Sequence, residues 1–440
     1  MIAELIDPAI LGFILVGVML FAIFVGFPIS FTLIFLGFVF GYLGFGKLVF
    51  YLMTLQFSMV MTEQALAAVP LFVFMGIMME QAGLMERLFS AFQMMLAKVK
   101  GSLYYAVLFV SVIFAAATGI VGASVTILGI MAAKSMNRSG YDVRLAAGTI
   151  TAGGTLGILI PPSIMLVVMG PIMEIPVIDL FAAAIIPGIL LALMFGIFLV
   201  IFAIIKPGYF GGINDQNNTI NKSSKSEIIG SVGVVILILI VLGGIWFGIF
   251  TPTESAGIGA LFALVLAIVK KTSWREIASA VLETGKISAP ILFLLIAAQM
   301  YARLLAMGGI TGVVENFFTY FGNDLLTILV IMVLTWFILG MFIDSVSIIL
   351  LTVPLFTPIA NSFGYDPIAF AIIGIVAIEA GLLTPPLGLC VYTVKGSISD
   401  PEATLSKIFM GSVPYWIMLI ILVFIIAMFP SVATWLPSLM

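Results

Sequence analysis

A glycine followed closely by a Pro-Pro pair occurs at two places in this sequence, as GILIPPS at residues 157–163 and as GLLTPPL at residues 381–387. Both lie in apolar stretches that otherwise favour helix. A proline in a helix interior removes a backbone donor and costs about 3 kcal/mol. Unpaired backbone groups in lipid are costlier still, so such breaks persist only where they line a protected polar site. The two stretches therefore predict two interrupted helices beside a polar site.

The two stretches belong to an internal repeat. Gly-Tyr-Asp occurs at 140–142 and at 364–366, an offset of 224, and the Pro-Pro stretches superimpose with the same offset and no gap. The later apolar segments at 232–249, 251–269 and 288–306 then fall on the earlier segments at 8–25, 27–45 and 64–82. This periodicity divides the chain into a first repeat at 1–205, a linker at 206–228 and a second repeat at 229–440.

The composition is that of a membrane protein. Of 440 residues 63% are hydrophobic and 8% are charged, against roughly a quarter charged in a soluble domain. We therefore predict an all-α polytopic membrane protein, whose acidic first 25 residues form a span and not a cleaved signal peptide.

Cysteine and histidine usage narrows the chemistry. Cys390 is the single cysteine and there is no histidine, which excludes internal disulfides and removes the commonest metal ligand and proton shuttle. An intramembrane enzyme would need a Ser-His pair, a histidine metal cluster or two deep aspartates, and only Asp344 is expected to lie deep. We predict no enzymatic activity.

The Lys and Arg distribution orients the repeats. The loop around the first Gly-Tyr-Asp carries three cations, whereas NSFGYDP in the second copy carries none. Because short cytoplasmic loops are enriched in Lys and Arg, the copies are expected to face opposite sides. This arrangement places fifteen of the seventeen cations on the cytoplasmic side, leaving Lys47 and Arg303. The fifteen are Arg87, Lys98, Lys100, Lys134, Arg138, Arg144, Lys206, Lys222, Lys225, Lys270, Lys271, Arg275, Lys286, Lys395 and Lys407.

Each repeat predicts a re-entrant hairpin followed by a broken helix. The hairpins are placed at about 101–137 and 325–360, because a complete span needs about 20 residues per crossing. The broken helices are placed at about 144–173 and 368–395. Paired inverted repeats with interrupted helices near mid-membrane are typical of secondary transporters and argue against a passive channel. Half-helix C-termini can bind a cation such as sodium, and half-helix N-termini can bind an anion.

Three long motifs carry a family resemblance. GYDVRLAAGTITAGGTLGILIPPSI, WFGIFTPTESAGIGAL, and LGMFIDSVSIILLTVPLFTPIANSFGYDP followed by EAGLLTPPLGL resemble the large membrane subunit of the tripartite ATP-independent periplasmic (TRAP) transporters, over about residues 8–430. The resemblance implies an elevator-type, sodium-coupled importer of organic anions, usually carboxylates, in the bacterial inner membrane. It implies a small four-helix membrane subunit and a periplasmic substrate-binding protein as partners, and no cofactor besides the sodium ions. A stand-alone carrier of the same superfamily is the alternative.

The resemblance also implies site residues, where each hairpin tip meets the following helix break. The sodium ligands expected are Thr118, Gly119, Gly122, Gly157, Ile160 and Pro162 in the first repeat, and Asp344, Ser345, Gly381, Thr384 and Pro386 in the second. The substrate contacts expected are Ser124, Thr155, Ser163, Ser347, Glu379 and Cys390. The sequence departs from many relatives at the first tip, which is TGIVGAS and poor in serine, and at Cys390, where relatives often have Asn.

Several of these residues have a second interpretation. Asp344 is suited to cap the returning hairpin helix, and Glu379 could be a structural partner. Glu254 has the spacing of a capping box with Thr251. Arg303 could bind a carboxylate or extend to the outer surface. The amphipathic segments 46–60, 84–99, 272–286 and 308–323 are expected to be interfacial arms tying a mobile core to a fixed frame.

Overall fold

The computed structural model describes residues 8–118, 121–211, 224–322, 324–398 and 400–440. Over these ranges the regular structure is helical, apart from an isolated bridge between Tyr141 and Phe210. Six helices are long and apolar enough to cross a membrane, or up to eight if each bent helix pair counts as one span. The prediction of an all-α polytopic membrane protein is confirmed.

Among the described residues, ten α-helices lie in the first half of the chain. They are α1 (Pro8–Val25), α2 (Ile29–Phe45), α3 (Leu48–Thr62), α4 (Ala68–Gln81), α5 (Leu84–Met95), α6 (Ser102–Thr118), α7 (Val121–Arg138), α8 (Val143–Leu159), α9 (Ile164–Met173) and α10 (Val177–Ile205). Helices α6 and α7 are the two arms of the first hairpin, and α8 and α9 are the two halves of the first broken helix.

The second half repeats this order. Its helices are α11 (Ser224–Trp246), α12 (Pro252–Val269), α13 (Trp274–Met307), α14 (Ile310–Phe321), α15 (Leu325–Gly340), α16 (Ser345–Ser362), α17 (Pro367–Leu382), α18 (Leu389–Ser397), α19 (Leu405–Met428) and a short α20 (Ser431–Thr434). Helices α15 and α16 form the second hairpin, and α17 and α18 form the second broken helix.

The Gly-Tyr-Asp turns show the repeat at the level of single bonds. Gly140 and Gly364 both have left-handed backbones, with φ of 71° and 77°, which only glycine adopts without strain. Asp142 and Asp366 then cap the helix that follows by accepting from the amides two and three residues further on, at 3.0 Å in the first repeat and 2.9 Å in the second. The same three residue types thus end one helix and begin the next in each copy.

The repeats differ at the junction between α3 and α4, whose counterpart in the second repeat lies within α13. In the first repeat, Glu63 is extended and separates α3 from a 3₁₀ turn and α4. In the second repeat, α13 runs without interruption for 34 residues. The segment 272–286, expected to be an interfacial arm, is therefore continuous with 288–306 in one helix, because the position equivalent to Glu63 is Ile287, which neither caps nor breaks a helix.

The helices pack in two groups. In one group α13 packs against α2, α3 and α4, α12 packs against α4, and α11 packs against α5. In the other group α8 packs against α6, α7 and α19, and α17 packs against α15, α16 and α19. Within this second group the returning hairpin arms cross over, so that α7 lies against α18 and α16 lies against α9. Each hairpin therefore meets the broken helix of the opposite repeat as well as its own.

Candidate functional site

A cavity of about 350 Å³ lies where the hairpin tips meet the helix breaks. This volume is within the range of small-molecule sites. Both repeats contribute to its wall, the second through α13 as well as through its hairpin and broken helix. This cavity is named the inner cavity. Its lining residues are Val121, Gly122, Ile158, Ile164, Met165, Ile291, Asp344, Ser345, Val346, Leu382, Leu389, Cys390 and Thr393.

The second hairpin tip supplies the charged group of the inner cavity. Asp344 is the N-cap of α16, where one carboxylate oxygen accepts from the Ser347 amide at 3.0 Å and the other accepts from the Ser347 hydroxyl. Asp344 therefore caps a helix, as the second interpretation states, and its residue also lines the cavity. Ser347 itself is buried behind it.

Glu379 lies beneath this tip. Glu379 is 1% exposed, and one of its carboxylate oxygens accepts a hydrogen bond from the Ser345 hydroxyl at 3.4 Å. The other carboxylate oxygen has no hydrogen-bond partner among the described residues. Since buried polar groups are normally paired, this second oxygen is a candidate acceptor for a further donor or cation.

The second break is held against its own hairpin by backbone contacts. A Cβ on Gly381 would lie 2.4 Å from the Phe337 carbonyl oxygen, so only glycine permits this approach. The Gly388 amide, in a residue with φ of 55°, donates to the Met341 carbonyl at 3.3 Å. These backbone contacts join the hairpin to the break in addition to the hydrogen bond between the Ser345 and Glu379 side chains.

Two predicted sodium ligands at the second break are arranged differently from Asp344 and Ser345. The Thr384 hydroxyl donates to the Ala380 carbonyl at 2.7 Å, so its proton is used inside its own helix while its lone pairs stay available. Pro386 is exposed. Neither of these residues lines the inner cavity, nor does Gly381, which packs on the hairpin.

The first break is more enclosed than the second. Helices α8 and α9 are bent by 41°, and Pro162 is buried whereas its counterpart is exposed. Helix α10 covers the break, because a Cβ on Gly188 would lie 2.9 Å from the Ile160 side chain. Ser163 is fully buried, and its hydroxyl has no partner within the described ranges. Gly157 is also buried, three residues before Ile160, the C-cap of α8.

The first hairpin tip reaches the inner cavity through Gly122. Thr118 ends α6, and Gly119 lies outside the described residues. Ser124 is 1% exposed and stands behind the wall. The Thr155 hydroxyl donates to the Ala152 carbonyl at 2.7 Å, so this predicted substrate contact is oriented toward its own helix.

The structure therefore brings four of the predicted site residues onto one cavity wall, namely Gly122, Asp344, Ser345 and Cys390. Sequence analysis missed Ile291, which α13 brings in from the other helix group, and no local pattern marks it. It also missed Thr393, which follows Cys390 by three residues on α18. Helical spacing could have found that residue, since positions i and i+3 share a face.

Glu254 has the structural role that its spacing indicates. It forms a capping box with Thr251 at the start of α12, and it does not line the inner cavity. The groups that remain for chemistry are one carboxylate, hydroxyls, a thiol and backbone atoms. Such a set binds ions and small polar molecules.

Several known proteins resemble this chain over most of its length. The family model "Tripartite ATP-independent periplasmic transporter, DctM component" matches residues 16–432. The chain is 32% identical over 379 residues to the C4-dicarboxylate TRAP transporter large permease protein DctM of Pseudomonas aeruginosa, covering 85% of this chain and 86% of that one. It is 30% identical over 432 residues to the sialic acid TRAP transporter large permease protein SiaM of Vibrio cholerae, covering 95% and 96%.

A solved structure shares the fold. The YdaH transporter of Alcanivorax borkumensis superimposes with a TM-score of 0.66 at 13% sequence identity, covering 96% of this chain and 99% of that one. At this identity the likeness concerns the fold alone. The family match and the relatives show that the chain belongs to the family of DctM components of the tripartite ATP-independent periplasmic transporters. It is a multi-pass inner-membrane transport protein and not an enzyme.

Proposed function

We propose that this chain is the transport subunit of a three-part importer and that it couples sodium entry to the uptake of a small organic anion, most often a carboxylate. The observation that carries the proposal is the inner cavity, which both repeats build from hairpin tips and helix breaks. Unwound carbonyls and half-helix N-termini at one place suit a cation and an anion bound side by side. The relatives named for C4-dicarboxylates and for sialic acid carry acids of this class.

The sodium sites are proposed at the two tip-and-break junctions. At the second junction, Asp344 is proposed to supply a carboxylate and Ser345 a hydroxyl, since both residues line the inner cavity. At the first junction, Gly122 faces the end of α8, whose last carbonyls lack helical partners. Hard oxygen ligands of this kind suit an alkali or alkaline-earth cation. The anion is proposed to lie between the junctions, near Cys390 and Thr393.

The packing of the helices supports an elevator movement. The hairpins and broken helices pack mainly with one another and with α19, whereas α2, α3, α4, α12 and α13 pack together. We propose that the first group moves as a core against the second group as a frame. The frame is proposed to hold the small membrane subunit, and a periplasmic binding protein is proposed to deliver substrate.

Reconstitution tests this function. The purified chain, with and without its candidate small subunit and binding protein, would be placed in liposomes and supplied with labelled succinate or sialic acid. We expect uptake under an inward sodium gradient and none under a matched potassium gradient. Equal uptake under both gradients would rule out sodium coupling, and full uptake by the chain alone would favour the stand-alone carrier.

A further inference from the structure

A second cavity, of about 380 Å³, lies outside the inner cavity and is called here the outer vestibule. Three helices, α9, α13 and α16, line both cavities. They contribute Met165, Ile291 and Val346 to the inner cavity and Pro171, Gln299 and Pro354 to the outer vestibule.

The three helices run in the same direction between the two cavities. Gln299 follows Ile291 by eight residues, which is ~12 Å along a helix. On α9, Pro171 follows Met165 by six residues, and on α16, Pro354 follows Val346 by eight. Both prolines therefore lie nearer the C-terminal end of their helices. Lys270 and Lys271 precede the first turn of α13 and are assigned to the cytoplasmic side, so its far end lies on the outer side. The outer vestibule therefore lies nearer the outer surface than the inner cavity along the same three helices.

Arg303 is the one cation among the residues lining the outer vestibule. Its side chain is exposed, and it forms no ion pair or hydrogen bond with any described residue. Two carboxylates share the wall. Glu63 accepts from the Ala65 amide at 3.3 Å as the cap of a 3₁₀ turn, and Glu174 ends α9 with a left-handed backbone. The guanidinium is thus free to take a carboxylate, which it binds with two parallel hydrogen bonds.

Resting on the proposed anion uptake, we propose that the outer vestibule is an access site in which the Arg303 guanidinium binds the acid group of the incoming substrate before it moves to the inner cavity. The two wall carboxylates repel an anion, and Arg303 offsets them. Without it, the vestibule would present only negative charge to an anionic substrate. Arg303 is therefore the group that decides the sign of the species admitted.

Cys390 provides a test that does not require transport. It is the single cysteine of the chain and lines the inner cavity. Thiol reagents added to right-side-out vesicles would reach it through the vestibule. Two membrane-impermeant methanethiosulfonates of similar size would be compared, the anionic ethylsulfonate and the cationic ethyltrimethylammonium.

Arg303→Gln is expected to slow the anionic reagent ~threefold or more and to speed the cationic one, as Coulomb interactions in a partly wet site imply. Glu174→Gln is expected to change both rates in the opposite directions. Lys47→Gln is the matched control, because it removes the other cation assigned to the outer side and Lys47 does not line the vestibule. Unchanged rates in Arg303→Gln, or equal changes in Lys47→Gln, would overturn the proposal.

If the Cys390 thiol reacts poorly, a second thiol can be measured in its place. Thr393→Cys in a Cys390→Ser background places the thiol one turn further along the same wall. Failure of both thiols to react from outside would overturn the access path. In reconstituted uptake, Arg303→Gln is expected to raise KM several-fold with kcat nearly unchanged. Absence of wild-type uptake would instead count against the proposed function, while the labelling rates would still decide the role of Arg303.

Discussion

Asp344 is both a helix cap and a lining residue of the inner cavity. Asp366 provides a natural comparison, because it caps α17 with similar bonds and does not line the cavity. The pair therefore separates helix capping from ion binding, which substitution of either residue alone would confuse.

Asp344→Asn is expected to lower sodium-driven uptake at least tenfold with little loss of thermal stability. Asparagine caps a helix about as well as aspartate, so the change removes charge and not the cap. Asp366→Asn is the control and is expected to leave uptake within about twofold, since it makes the same change at a cap that lies away from the inner cavity. Uptake and melting temperature would be measured on both variants, and equal loss of uptake in both would contradict the assignment.

Gly381 tests the contact between hairpin and break. A Cβ there would lie 2.4 Å from the Phe337 carbonyl oxygen and 2.7 Å from the Gly340 Cα, and both are backbone atoms that cannot rotate away. Gly381→Ala is expected to destabilise the protein by about 1–3 kcal/mol, as overpacking does. Gly196→Ala, in α10 with open space at its Cβ, is expected to be neutral or mildly stabilising. Thermal unfolding in detergent would compare the two.

The second hairpin has a buried hydrogen bond between its own two arms. In the second hairpin, the fully buried Trp336 indole donates to the Thr352 hydroxyl at 2.7 Å, joining α15 to α16. Two antiparallel arms in lipid have no hydrophobic drive to associate. A buried polar bond of this kind therefore contributes to keeping the hairpin closed.

Thr352→Val is expected to cost about 1–3 kcal/mol, because it leaves the buried Trp336 indole without an acceptor. Thr335→Val is the matched control on the facing arm. The Thr335 hydroxyl donates only to the Ile331 carbonyl of its own helix, so its loss is expected to be nearly neutral. A difference in melting temperature between the variants is the measurement, and equal shifts would show that the arm-to-arm bond contributes nothing.

At the scale of the whole molecule, the inverted orientation of the two repeats is a prediction that labelling can check. Ser139 follows the returning arm of the first hairpin, and Asn361 lies in the last turn of the returning arm of the second. In a Cys390→Ser background, Ser139→Cys is expected to react with an impermeant thiol reagent only from the cytoplasmic side. Asn361→Cys is expected to react only from the outer side. Reaction of both from one side would show that the repeats share one orientation.

The sequence by itself determined the features that depend on a few neighbouring residues. The two breaks, the Gly-Tyr-Asp turns and the capping box at Thr251 all follow from proline, glycine and carboxylate chemistry within one or two helical turns. The repeat offset then extended these local rules to the whole chain. For this reason the repeat predicts residue ranges for both hairpins and both broken helices.

Only the tertiary structure decided which groups meet. It showed that α7 lies against α18 and α16 against α9, that Ile291 closes the inner cavity, and that the Thr155 and Thr384 hydroxyls turn toward their own helices. These outcomes depend on the packing of helices far apart in sequence and on competition between backbone and side-chain partners. No local pattern contains that information, because the packing free energy belongs to the molecule as a whole.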